Sequence, residues 1–237
     1  MLWSRSLFLR WSLCAAFAAL TALAPPASAD TLPEIFARID KAATTFRGFK
    51  ADIAKVSHLD AINEDTVDTG TIAVRRAKPQ ELDMLVDFKL PDAKIVSLSG
   101  KHADVYYPKI NSVDEYDLSR EYKSMAQQFL LLGFGTSSSE LKSAYTVSLG
   151  GSETIAGQKT TRLVLLPKDK DLAKQYPKFE LWISDETGIA VQQKVYETGG
   201  DYEVATYTNM KLMNVPESDV KLQIPRDAVR NRPGHDR

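Results

Sequence analysis

The sequence predicts an α+β domain built on one antiparallel sheet of ten or eleven short strands, with helices at its start and in its middle. Three observations carry this. From Thr69 to Leu90 two runs with a period of two are joined by a short basic turn, which is the signature of paired strands. Turn signals then recur at short spacing, among them Ser99-Gly100, Asn111-Ser112, Gly157-Gln158, Asp185 to Gly188 and Gly199-Gly200, and such spacing separates hairpins rather than strand–helix–strand units. Helical periodicity is confined to a few stretches, the clearest between residues 32 and 46.

The first 29 residues differ in kind from the rest. Arg5 and Arg10 precede the apolar run Trp11 to Ala24, no acidic residue is present, and Ala27-Ser28-Ala29 supplies small residues before Asp30. This reads as a secretory signal peptide cleaved after Ala29. The run is too short for a transmembrane anchor and Pro25-Pro26 closes it. Cys14, the single cysteine of the sequence, lies inside this segment, so the mature chain is expected to be cysteine-free and exported. From Asp30 onward 28 basic and 31 acidic side chains leave a formal charge of −3. That balance excludes a nucleic-acid surface, and no second apolar segment is long enough to span a bilayer. Residues 30–225 are expected to form one domain and 226–237, rich in Arg with Pro233-Gly234, a disordered tail.

Taken in order, Thr31-Leu-Pro-Glu34 has capping-box spacing, and Ile35, Phe36, Ile39, Ala42, Ala43 and Phe46 recur as one face of a helix. Ordinary core packing accounts for such a stripe. From Phe49 the period changes to two through Ala51 and Ile53, slipping near Val56. In the hairpin that follows, Gly70, Ile72, Val74 and Arg76 share one parity; Leu82, Met84, Val86, Phe88 and Leu90 share one face, with Asp83, Asp87 and Lys89 on the other. If this row lies on the concave side of a sheet, a guanidinium sits at the rim of an apolar hollow. Short strands follow at Ile95 to Leu98, Val105 to Tyr107 and Val113 to Asp117.

The pattern breaks at Ser119. Tyr122, Met125, Ala126, Phe129 and Leu130 fit a helical face, and Phe129 to Gly135 runs on as FLLLGFG without a polar residue. Such a segment is either a buried helix end or a lid over a hollow. A small helix at Glu140 to Ala144, capped by Ser138 or Ser139, leads into a second meander: Tyr145 to Leu149, Thr154 to Ala156, Thr160 to Leu166, a polar excursion from Pro167 to Pro177, then Phe179 to Ser184, Ile189 to Glu197, Tyr202 to Leu212 and a last edge strand at Val220 to Ile224.

No catalytic constellation is visible. His58, His102 and His235 have no metal-ligand spacing, no serine sits in G-x-S-x-G, and Gly133-Phe-Gly-Thr-Ser137 follows a helix, where a hinge belongs and a phosphate loop does not. The reading is a non-enzyme with no cofactor and no metal.

Taken together, the pieces resemble the periplasmic carriers of outer-membrane lipoproteins, the LolA-like family. The matching pieces are the opening helix, Phe49-Lys-Ala-Asp-Ile53, Gly70-x-Ile-x-Val-Arg-Arg76 with Pro79, Ile95-Val-Ser-x-x-Gly100, Val105-x-Tyr107-Pro108, Phe129-Leu-Leu-Leu132, Thr187-Gly188 and Asn209. The resemblance implies a strongly curved antiparallel sheet of about eleven strands, an incomplete barrel, whose concave face is closed by a helical lid and receives acyl chains. Ile72, Val74, Leu82, Met84, Val86 and Phe88 would line that cavity beneath Ile35, Phe36, Ile39, Phe129, Leu130 and Leu132. Arg76 would match the arginine that holds the lid of the empty carrier. The family more often places proline directly after that arginine, where this chain has Arg75-Arg76-Ala-Lys-Pro79, so Arg75 is the alternative and strand parity favours Arg76. The partners implied are acyl chains of lipoproteins or other lipid, an inner-membrane releasing transporter and an outer-membrane acceptor, met by a monomer. A sensing or regulatory module on the same fold is the second reading and a hydrolase the third, since one fold serves several functions.

Overall fold

The structure, a computed structural model, describes residues 30–78, 81–118 and 132–233. Helix α1 (Leu32–Thr45) opens the chain. Its start follows from the capping chemistry: the Glu34 carboxylate accepts from the Thr31 amide at 2.7 Å and hydroxyl at 2.8 Å, and those bonds hold the Glu34 carboxyl below its ordinary pKa. Eleven strands then run β1 (Gly48–Leu59), β2 (Glu64–Lys78), β3 (Glu81–Leu90), β4 (Lys94–Ser99), β5 (His102–Tyr107), β6 (Ser112–Asp117), β7 (Tyr145–Ile155), β8 (Gln158–Pro167), β9 (Lys178–Ser184), β10 (Ala190–Tyr196) and β11 (Tyr202–Leu212). Helices α2 (Ser138–Ala144) and α3 (Lys170–Gln175) interrupt them, and a short β12 (Val229–Asn231) closes the series.

All twelve strands belong to one sheet in the order β12-β6-β5-β4-β3-β2-β1-β11-β10-β9-β8-β7. The sheet is open and curled: among the described residues β12 and β7 are its two edges, and they do not meet. Two meanders, β1 to β6 and β7 to β11, are joined by the antiparallel pairing of β1 with β11. That junction places Phe49, Ile53 and Tyr207 in the middle of the concave face, where Phe49 is fully buried.

Four expectations need correction. The slip expected near Val56 is absent, and β1 continues to Leu59; its irregularity against β11 lies between Lys50 and Asp52. The strands expected on either side of Gly150-Gly151 are one strand, because the two glycines absorb a register shift between Leu149 and Gly151 in place of a turn, with Gly151 at φ +105°. Residues 220–224 form no strand. Val220 instead packs with Val215, Ala73 and Leu85 on the convex face. The twelfth strand comes from the stretch expected to be a tail: Val229–Asn231 pairs in parallel with β6. Arg230 and Arg232 both bond Glu115 there, and the Asn231 amide donates to Ser112 and Asp114 at 3.1 and 2.9 Å. The polar excursion at 167–177 holds α3, capped by Asp169, whose carboxylate accepts from the amides of Asp171 and Leu172. The signal segment and the helical face around Tyr122, Met125, Ala126, Phe129 and Leu130 lie outside the described residues.

Candidate functional site: an apolar cavity on the concave face

Alternation along β3 sends Met84, Val86 and Phe88 to the concave face and Asp83 and Leu85 to the convex one. The pairing of β2 with β3 sets Ile72 opposite Val86, and β4 adds Val96 and Leu98 beside them. From the second meander, Val195 on β10, Ala205 and Tyr207 on β11 and Phe179 on β9 face the same space. Together with Ile53, Ala103 and Leu118 they enclose a cavity of about 470 Å³. Leu172 and Tyr176 of the α3 region and Phe134 complete its wall. The volume is in the range of small-molecule and lipid pockets, about 300–1,000 Å³.

The sequence-predicted lining divides in two. Ile72, Met84, Val86 and Phe88 border the cavity. Val74 and Leu82, on the same row, are buried at 2% and 8% exposure but do not border it. Ile35 and Ile39 of α1 are core residues at 0% and 4% exposure, and Phe36 is half-buried against the same core. Ile39 lies among Gly133, Leu141, Ile183 and Ile189, and the C-terminal end of α1 is tied to β2 through Arg76. Leu132 is buried without bordering the cavity, and Phe129 and Leu130 lie outside the described residues.

The segment from Leu132 to Gly135 is fixed at three carbonyls. The Gln193 carboxamide donates to Leu132 O, the Ala190 amide donates to Gly133 O at 3.1 Å, and Arg76 Nη2 donates to Gly135 O at 2.7 Å. Arg76 Nη1 also donates to Ala43 O, at the C-terminal end of α1, at 3.1 Å, and its guanidinium lies 5.4 Å from the Phe46 ring centroid. One side chain therefore ties α1 to the segment that carries Phe134 into the cavity wall. Burial, then the neighbouring Arg47 charge, lowers the Arg76 pKa, while Glu140 acts in the opposite sense. Its buried Nε has no hydrogen-bond partner. Arg75 turns to the convex face and bonds Asp83 at 2.9 Å, so of the two arginines Arg76 reaches the segment. A further link comes from α2, where the Ser138 amide and hydroxyl donate to Asp40 of α1 at 2.7 and 2.8 Å.

Phe134 belongs to the apolar run read as a candidate lid, whereas the polar contributors from β10 and β11 were not singled out from the sequence. Phe134 packs against Phe49 (centroids 4.8 Å apart) and meets Tyr207 edge-on at 5.2 Å. Gln193, Glu197, Glu203 and Tyr207 share the inward parity of Val195 and Ala205, a signal that was present in the alternation of β10 and β11. At the charged border of the cavity Lys55 bonds Glu203 at 2.8 Å. Glu197 is held above its ordinary pKa, first by desolvation and then by the charges of Glu203 and Asp201. Among the described residues no group of His, Cys, Asp and Glu is placed to hold a metal ion, and no helix is long and apolar enough to cross a membrane.

Comparison with known proteins places this architecture. MucB is similar over 83% of this chain at 16% identity and a TM-score of 0.51, and is also solved as the Pseudomonas aeruginosa MucA/MucB complex. The chain spans 64% of the MucB structure it matches. An uncharacterized conserved protein from Thermus thermophilus is similar over 84% of this chain and 98% of its own, at 16% identity and a TM-score of 0.52. A LolA superfamily protein from Nitrosomonas europaea aligns over 81% of this chain and 98% of its own at 14% identity and a TM-score of 0.40. No curated protein matches the sequence. The fold is the one shared with MucB and with the Thermus thermophilus protein. With the MucB/RseB N-terminal domain matched over residues 81–224, more than half of its length, the chain belongs to the MucB/RseB family.

Proposed function

We propose that the protein is an exported, non-catalytic carrier that shelters the acyl chains of lipoproteins, or of other lipid, in the concave cavity and takes them across the periplasm toward the outer membrane. The observation that supports this best is the cavity of about 470 Å³, apolar along most of its wall, bordered by Phe134 in a segment whose Gly135 carbonyl accepts from the half-buried Arg76. At about 0.8 kcal/mol per buried CH₂, an acyl chain of about 16 carbons favours shelter by more than 10 kcal/mol, so it does not cross water unescorted. A carrier of such cargo also needs a means of release. The Arg76 bonds to Ala43 and Gly135 supply one, because they favour the closed, empty form and their loss on loading is subtracted from cargo affinity.

The family match favours a second reading, a module that senses lipoproteins or envelope components and acts through a protein partner without transport. Organic extraction and mass spectrometry of the full-length protein purified from its own envelope separate the two. Co-purified lipidated peptides or lipid are the expected result for the carrier. A stoichiometric protein partner with no lipid identifies the module, and turnover of an ester substrate would replace both with an enzyme.

A further inference from the structure

Gln193 is 3% exposed and borders the cavity, whose wall is mostly apolar. Its carboxamide orientation is settled by chemistry. Leu132 O accepts only, so the atom bonded to it is Nε2, and Oε1 is left to accept from the Tyr207 hydroxyl at 3.2 Å. A carboxamide nitrogen carries two N–H donors. One is used on Leu132, and the second has no acceptor among the described residues. Tyr207 is itself fully enclosed, at 3% exposure, so it holds the carboxamide in place without bringing water to it. Glu203 lies diagonally across from Gln193 on β11, since Ala205 is opposite Gln193 and Glu203 opposite Val195, but its carboxylate is engaged by Lys55 at 2.8 Å. Glu197, on the same face of β10, is four residues on from Gln193, about 13 Å along an extended strand. A buried donor without an acceptor costs free energy until something accepts from it.

We infer that Gln193 is the polar subsite of this cavity: its second N–H receives a carbonyl oxygen of the cargo, and the ligand class is an acyl ester or acyl amide in preference to a plain hydrocarbon. The inference rests on the carrier reading and adds to it a chemical criterion for cargo. Both an ester-linked glycerolipid and an N-acylated terminus present the required acceptor next to an apolar chain. A Phe or Leu at position 193 would fill the same wall without that selectivity. Tyr207 is a positioning residue in this scheme, acting through the Gln193 oxygen.

The test compares methyl palmitate, N-methylpalmitamide and an alkane of equal length as competitors for a fluorescent apolar probe bound to the full chain. The wild-type protein is expected to prefer the ester or the amide to the alkane by about three- to tenfold, the range of one neutral hydrogen bond. Gln193→Met is expected to abolish that preference while still binding all three. Of the two carbonyl compounds, the one favoured more strongly identifies an ester or an amide source. An equal preference ratio in wild type and Gln193→Met overturns the subsite and leaves the carrier reading standing, whereas a wild-type protein that binds none of the three overturns both. A second measurement needs no variant. An ester labelled with ¹³C at its carbonyl is expected to show, when bound, an infrared band at lower wavenumber than in alkane solvent, and an unshifted band overturns the inference.

Discussion

Arg76 Nη2 donates to the carbonyl of Gly135 at 2.7 Å, and a methyl group on Gly135 would lie 2.0 Å from that nitrogen. The contact is thus made by a side chain with five donors in a fixed fork and by a residue that leaves room for it. Gly135 stands at φ +74°, so its backbone shape and its missing side chain serve the same contact.

Arg76→Leu is expected to retain lipid more tightly and to hand it over more slowly. Two charge-assisted bonds of about 1.5–3 kcal/mol each oppose opening, and losing even one corresponds to about ten- to a hundredfold in retention. Fold stability should change little, because the variant also removes a guanidinium with an unpartnered Nε. Arg76→Lys, which keeps the charge and loses the fork, should fall between. Transfer from loaded protein to liposomes decides the matter, and equal transfer by wild type and Arg76→Leu would make Arg76 a rim charge only.

Gly135→Ala should act in the same direction by another route. The added methyl displaces the guanidinium, and an alanine at this φ costs about 1 kcal/mol or more. A lower melting temperature together with slower lipid release is the expected pair of results. A lower melting temperature with normal release would separate the Gly135 conformation from the latch.

Met84→Asp tests the cavity itself. Met84 borders the space at 9% exposure, and an unpaired carboxylate there costs several kcal/mol. Lipid binding is expected to vanish in a protein whose circular dichroism still reports a sheet. Binding retained by that folded variant would rule out the cavity as the lipid site.

Glu197 makes stability depend on pH. Its folded-state pKa is raised above the ordinary 4.5, first by desolvation and then by Glu203 and Asp201. The native state therefore holds this proton more tightly than the unfolded chain does, so the contribution of Glu197 to stability falls as pH rises from 4.5 through the raised value. Glu197→Gln removes that penalty. It should raise the urea midpoint near pH 7, and the gain should shrink as pH is lowered toward 4.5. A gain of the same size at both ends of this range would assign the effect to packing.

The residues alone determined which side chains share a face. A period of two is written in adjacent positions, so Ile72, Met84, Val86 and Phe88 were assigned together, with Arg76 on the β2 row that carries Ile72. The capping box of Thr31 and Glu34 likewise placed the start of α1 without any tertiary contact. The tertiary structure decided which part of the apolar face is solid and which is hollow. Val74 and Leu82 carry the same signal as Ile72 and Met84, yet they are packed in the core without bordering the cavity, and Ile72 and Met84 border it. It also decided the acceptors of Arg76, one 33 residues before it and one 59 after, the parallel pairing of β12 with β6, and the enclosure of Gln193 against Tyr207 and Leu132. Alternation and capping are local interactions that fix direction within an element. Cavities, latches and buried polar partners depend on which distant elements the folded chain brings side by side.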